Sequence, residues 1–230
     1  MIQDSLNDFN SSTRQDSLAK IAREETFPRI RPIVNAHAHT FYSFYYKGYS
    51  PTRFAVEAKR EGLEMGGIVD FDVLDGLEEF WSASRLLDLK ACIGIESRVF
   101  VPEFADREIN SPGEPGISYH MGTGFTTTSI PAKAQAFLDN MRSTSAQRNQ
   151  DMVKRVNEFL SPLVLNYDED VLPLTPNGNA TERHLCLAYA RKAASMFPEE
   201  ADLRKFWSEK LGVSQEDVRD LPEGRPITDL

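Results

Sequence analysis

The sequence predicts an α/β fold built on a parallel sheet, giving way to a helical second half. Three observations carry this. Short apolar runs end near residues 39, 72 and 96, spaced as the strands of βαβ units are. The segments between those runs have helical periodicity and helical punctuation. Beyond about residue 126 the alternation of strand and helix stops and helical patterns follow one another.

Residues 1–30 are polar and read as an N-terminal arm, with a short helix over Asp16–Glu25 that turns Leu18, Ile21 and Ala22 to one side. The first strand is the run Ile33 to His39. Ser50 and Pro51 then read as an N-cap with proline in the first helical turn. This helix presents Phe54, Ala55 and Ala58 and stops at Gly62. The second strand is Gly67–Asp72. The next helix, Gly76–Asp88, carries Leu77, Phe80, Trp81, Ser84 and Leu87 on one face. The third strand starts at Ala91, reaches Glu96 and has the pattern to extend to Val101. A glycine- and proline-rich loop leads to a fourth strand, Gly116–Gly122, with His120 near its end. Residues 31–125 therefore form the α/β core. Residues 126–230 form a helical segment expected to pack on that core, with helices over Pro131–Met141, Thr144–Leu160, Thr181–Met196 and Glu199–Lys210. Ser214 and Asp217 have the spacing of a capping box for a last short helix.

Composition narrows the function. The 230 residues are 40% hydrophobic and 10% aromatic, which suits a globular protein with a substantial core. A formal charge of -9 argues against wholesale binding to nucleic acid, whose phosphates it would repel. A small phosphorylated substrate is still compatible, because a bound cation reverses the local field. Cys92 and Cys186 are the two cysteines and read as small core residues, with no CxxC pattern. No apolar run is long enough to span a bilayer, and the first residues lack the order of a secretory signal, so a cytoplasmic protein is expected.

The chemistry concentrates in His37 and His39. A strand repeats every two residues, so both imidazoles project from one face, as joint coordination of an ion requires. Functional groups in parallel sheets gather at the carboxyl ends of the strands, and Asp72 and Glu96 fall at or near such ends as well. Asp70 reads as a solvated strand-end carboxylate, Asp72 as either a site residue or a helix cap, and Glu96 as a ligand or a partner of Arg98. Phe41, Tyr42, Tyr45 and Tyr46 could wall a pocket, or simply fill a loop. Arg98, Arg142, Arg148, Arg155 and Arg183 are candidates for clamping a phosphate.

Taken in order, Asn35-Ala36-His37-Ala38-His39-Thr40, the Ser50-Pro51 helix start, Val69-Asp70-Phe71-Asp72 with Leu74-Asp75-Gly76, and Gly94-Ile95-Glu96 resemble the motifs of the polymerase and histidinol phosphatase (PHP) domain family. His120 matches the further histidine of that pattern, and Glu182-Arg183-His184 resembles, more loosely, a later Gly-Arg-Pro-His element. The resemblance implies a seven-stranded distorted (β/α) barrel holding up to three metals, and hydrolysis in which metal ions activate water and neutralise phosphoryl oxygens. The chain departs from the pattern at three points. Phe71 replaces a histidine, Phe44 stands where an aspartate is common, and no histidine follows His184 to complete a terminal Asp-x-His.

The resemblance therefore implies a PHP-like barrel that is incomplete. It implies a single divalent metal (zinc, manganese or iron) held by His37, His39, Glu96 and His120, with Asp72 and His184 as candidate catalytic residues. The expected function is a metal-dependent phosphoesterase. The alternative is a catalytically degenerate PHP-like binding or scaffold domain, or a fragment of a longer protein. An incomplete sheet leaves an open edge, which a missing C-terminal segment or a second copy of the chain would cover.

Overall fold

The computed structural model describes residues 5–43 and 48–218. The chain divides into two compact units, Met1–Leu138 and Asp139–Leu230.

In the first unit, helix α1 (Ser11–Glu24) precedes strand β1 (Arg31–Asn35). Helix α2 (Pro51–Arg60), strand β2 (Leu63–Phe71), helix α3 (Leu77–Leu86) and strand β3 (Lys90–Phe100) follow. A loop with one 3-10 turn then leads to β4 (Ile117–Thr123). The sheet order is β1-β2-β3-β4. The first three strands are parallel and β4 is antiparallel to β3. The reversal has a local cause. A parallel return needs a crossover, normally a helix. The loop instead folds on itself, with Val101 N–H bonded to the Gly116 carbonyl at 2.8 Å, and hands the chain back as a hairpin.

Ser50 caps α2 as its sequence implies, its Oγ accepting the Arg53 amide at 2.9 Å ahead of Pro51. Ala55, Val56, Ala58, Leu77, Phe80, Ala83 and Leu87 meet Ile68 and Ile93 of the sheet in one core. The polar arm is tied to this core by Arg14, which is 1% exposed and holds Glu79 with Nε at 2.8 Å. Glu79 in turn accepts the Thr52 amide at 3.1 Å and the Thr52 hydroxyl at 2.7 Å, so one carboxylate binds α1 and the start of α2 together. At the sheet edge, every residue of β1 is exposed.

Helix α4 (Ala132–Leu160) is continuous, where the sequence pattern suggested two helices. The stretch expected to separate them, Arg142-Ser143, contains neither glycine nor proline, so nothing stops propagation. In the second unit, the C-terminal turns of α4, α5 (Glu182–Met196) and α6 (Glu200–Leu211) enclose Val153, Leu163, Tyr189, Leu203, Phe206 and Trp207. Phe159, expected on the apolar face, is 60% exposed. Asn157 organises the connection after α4, bonding both the amide and the carbonyl of Leu165 at 2.9 Å. Cys186 is exposed, contrary to the core reading, because the buried stripe of α5 is Leu185, Ala188 and Tyr189. Cys92 is partly buried. Residues Gln215–Val218 form a turn. Ser214 and Asp217 do make the reciprocal capping bonds, Ser214 Oγ accepting the Asp217 amide at 3.2 Å and the Asp217 carboxylate accepting the Ser214 amide at 3.3 Å.

Candidate metal centre

Strand β1 ends at Asn35, whose side-chain oxygen accepts the His37 amide at 3.1 Å and turns the chain out of the regular ladder. The backbone still follows β2, since the Ala38 carbonyl accepts the Val69 amide at 2.9 Å. This close approach depends on Gly67. A Cβ there would stand 2.8 Å from the Ala36 Cα and 2.9 Å from its carbonyl oxygen. Gly94 has the same role between β3 and β4, where a Cβ would meet the Gly122 oxygen at 2.6 Å. Glycines thus allow the segments that carry the candidate ligands to lie side by side.

The side chains of His37, His39 and Glu96 converge. His37 Nε2 lies 3.0 Å and His39 Nε2 3.3 Å from the same Glu96 oxygen, Oε2. All three donors fall within 4.8 Å of one another. Donors about 2.1 Å from a shared ion at angles of about 90–109° stand roughly 3.0–3.4 Å apart, and both imidazole–carboxylate distances fall in that range. The donor set suits such an ion. Two imidazole nitrogens and a carboxylate oxygen this close need at least one N–H donated to the carboxylate, as from His37 at 3.0 Å, or a metal ion shared among them. His37 is half exposed, His39 22% exposed and Glu96 10% exposed, so the cluster opens to solvent on the His37 side. Arg98 pairs with Glu114 and lies over the Tyr119 ring.

Phe71 lies flat against His39, with ring centroids 4.3 Å apart and planes 18° from parallel. It is directly opposite Glu96 in the β2–β3 register. It therefore supplies an aromatic wall where the PHP pattern has a ligand. Phe44, the other departure, lies outside the described residues, as do Tyr45 and Tyr46. Of the neighbouring aromatics, Phe41 is buried and packs edge-on against Phe9 and Tyr42.

His120 does not join the group. It pairs with Ser97 across the β3–β4 ladder, one residue out of phase with the Glu96–Met121 pair. Successive residues alternate faces, so His120 points from the opposite side of the ribbon to Glu96, and it is exposed. Asp72 follows Phe71 in a left-handed conformation (φ 59°), tolerable for aspartate, with its amide bonded to the Glu96 carbonyl at 2.9 Å. His184 belongs to the second unit and is 3% exposed. Its Nδ1 accepts the Thr181 amide at 3.1 Å in a capping box at the start of α5. Burial pushes its pKa down to about 4, so the ring is neutral at ordinary pH. Of the arginines considered for a phosphate, Arg142 donates to the Asn177 carbonyl and Arg148 pairs with Glu182.

Asp70 reads differently in three dimensions. It is 2% exposed and accepts the Thr40 amide at 2.6 Å, the Thr40 hydroxyl at 2.7 Å and the Ser43 hydroxyl at 2.7 Å. Burial nevertheless dominates and pushes its carboxyl up to about 6, while the bonds from Thr40 and Ser43 pull the other way. The signal for this was present in the sequence. A carboxylate flanked by Val69 and Phe71 in a central strand is buried, and a buried carboxylate needs donors.

No protein-family model and no curated protein matches the chain. Solved structures do. One, provisionally assigned as a metal-dependent phosphoesterase from Bifidobacterium adolescentis, aligns with a TM-score of 0.51 at 16% identity, covering 86% of this chain and 57% of the other. Another, an amidohydrolase from Chromobacterium violaceum with bound sulfate and no metal, aligns with a TM-score of 0.52 at 16% identity, covering 76% of this chain and 53% of the other. The chain thus spans just over half the length of these structures. At such identity the likeness is one of fold: an α/β chain with a curled, half-barrel four-stranded sheet and a helical C-terminal part.

Proposed function

We propose that this chain is a metal-dependent hydrolase acting on a small phosphorylated substrate, with one divalent ion held by His37, His39 and Glu96. The observation that carries the reading is the approach of both Nε2 atoms to a single Glu96 oxygen at 3.0 and 3.3 Å. A divalent ion, when bound, would act as a Lewis acid toward a phosphoryl oxygen and make a bound water acidic enough to react near neutral pH. The residues around it divide the remaining work. Glu96 supplies the negative charge that favours a cation over a proton shared by the imidazoles. His37, on the solvent side, leaves room for substrate to approach. Asp72, anchored through its amide to the Glu96 strand, is the carboxylate we assign to proton handling. The similar structure assigned as a metal-dependent phosphoesterase supports a phosphoester over other substrate classes.

A second reading has its own observation. Phe71 stacks on His39 and offers no lone pair, which favours a degenerate binding or scaffold domain derived from a PHP-like enzyme. One experiment separates the two. Protein purified without chelators is analysed for bound metal, then assayed against a panel of phosphomonoesters with added zinc or manganese. About one equivalent of metal, with hydrolysis lost in His37→Ala, supports the hydrolase. One equivalent without turnover supports the binding domain. Well under one equivalent, with no uptake on titration, removes both metal readings.

A further inference from the structure

We propose that Ser43, oriented by the buried Asp70, is a positioning residue that holds the proton of His39 on Nδ1 and so presents the Nε2 lone pair to the ion position. This rests on the metal reading above and adds a role for two residues outside the ligand set. The geometry begins with one hydroxyl between two acceptors. Ser43 Oγ lies 2.7 Å from Asp70 Oδ1 and 3.4 Å from His39 Nδ1. A serine has one hydrogen to donate, and the nearer and stronger acceptor is the carboxylate. The lone pairs of Oγ are then what His39 Nδ1 meets. A nitrogen lone pair in that place would be repelled, whereas an N–H is accepted.

The arrangement is rigid. Ser43 is 1% exposed, and its amide closes a turn onto the Thr40 carbonyl at 3.1 Å. Thr40 is itself bonded to Asp70 through both its amide and its hydroxyl. Asp70 therefore anchors the four residues that follow His39, and the ring is fixed from behind while its front nitrogen faces Glu96. Partners that orient a ligating histidine through its second nitrogen typically change metal affinity about 10–100-fold when removed. His37 has a separate anchor, its amide on Asn35, and provides an internal control.

The test uses the metal-free 230-residue chain labelled with 15N at histidine, at a pH where the rings are neutral, with His39 assigned through His39→Gln. Two-bond 1H–15N spectra are expected to place the wild-type His39 proton on Nδ1. Ser43→Ala should shift His39 toward the Nε2–H form, donating to Glu96, while His37 is unchanged and the thermal midpoint stays within a few degrees. Asp70→Asn, which retains an oxygen acceptor for Ser43, should keep the wild-type pattern if it folds. Zinc affinity should fall about 10–100-fold in Ser43→Ala. A wild-type His39 with its lone pair at Nδ1, or a tautomer indifferent to Ser43→Ala, overturns the proposal. Failure of wild-type protein to take up zinc sinks the metal reading and the purpose assigned to Nε2. The two failures appear in different measurements and cannot be confused.

Discussion

His39 in the first unit and His184 in the second both set Nδ1 against a neighbouring hydroxyl, Ser43 at 3.4 Å and Thr181 at 3.1 Å. They do opposite work. At His184 the Thr181 amide also donates to Nδ1, so that nitrogen holds a lone pair and the ring serves as a helix cap inside the core. At His39 the hydroxyl's hydrogen is directed to Asp70, so the exposed side of the ring keeps the lone pair. The difference teaches that the commitments of the partner, more than burial or residue type, decide what a histidine offers. It also separates the two units by design. The sheet unit gathers side chains from different strands at one spot, whereas the helical unit spends its polar groups on caps and connections.

The comparison breaks most visibly if the sheet unit's cluster does not act as a group. Glu96→Gln removes the charge facing both imidazoles and is expected to weaken zinc binding by more than about 100-fold, beyond the range seen for outer partners. Isothermal titration reads this directly, and an unchanged affinity would place the ion elsewhere.

The next effect is pH-dependent and runs in opposite directions in the two units. Asp70 has its carboxyl pushed up to about 6 in the folded chain, so the fold binds that proton more tightly than the unfolded chain does. Its contribution favours folding below about pH 4 and is lost as pH rises to about 6. His184, pushed down to about 4, behaves inversely: its contribution is complete above about pH 6.5 and is lost as pH falls toward 4. Each shift corresponds to about 3 kcal/mol. The two tryptophans make this measurable, because Trp81 lies in the first unit and Trp207 in the second. Single-tryptophan variants, Trp207→Phe and Trp81→Phe, should show denaturation midpoints that move oppositely between pH 4.5 and 6.5. Parallel movement would dissolve the contrast.

Gly67→Ala sharpens the account of how strands reach the site. Its Cβ would press on the Ala36 backbone at 2.8 Å, so a loss of about 1–3 kcal/mol in chemical denaturation is expected, together with weaker zinc binding. The smallest effect belongs to the cap. His184→Ala should cost about 1 kcal/mol and remove the part of the second unit's pH response that falls between about pH 4 and 6.5. Glutamine at the same place can reach back to the Thr181 amide, so His184→Gln should recover part of the stability but none of the titration.

Much of this was readable in advance, for reasons that are local. Ser50-Pro51 caps a helix because the hydroxyl and the fixed proline φ act over a few residues. The His37-Ala38-His39 spacing points to two imidazoles on one side, and the structure brings them together just beyond the end of β1, facing Glu96 from β3 two places away in the sheet. The face that His120 takes depends on the direction and register of β4, which no spacing within the chain encodes. Asp70 reads from the sequence as a solvated carboxylate because its donors, Thr40 and Ser43, are 30 and 27 residues away.

The order of strands and helices and their caps thus follow from the sequence itself, since periodicity and capping are properties of neighbouring residues, while the resemblance named His37, His39 and Glu96 only together with His120. Tertiary structure alone decided which nitrogen of each histidine is held, that Phe71 covers His39, and that a buried carboxylate anchors the loop behind it. Those outcomes depend on distances between segments brought together only by folding, where a few tenths of an ångström settle which acceptor receives a hydrogen.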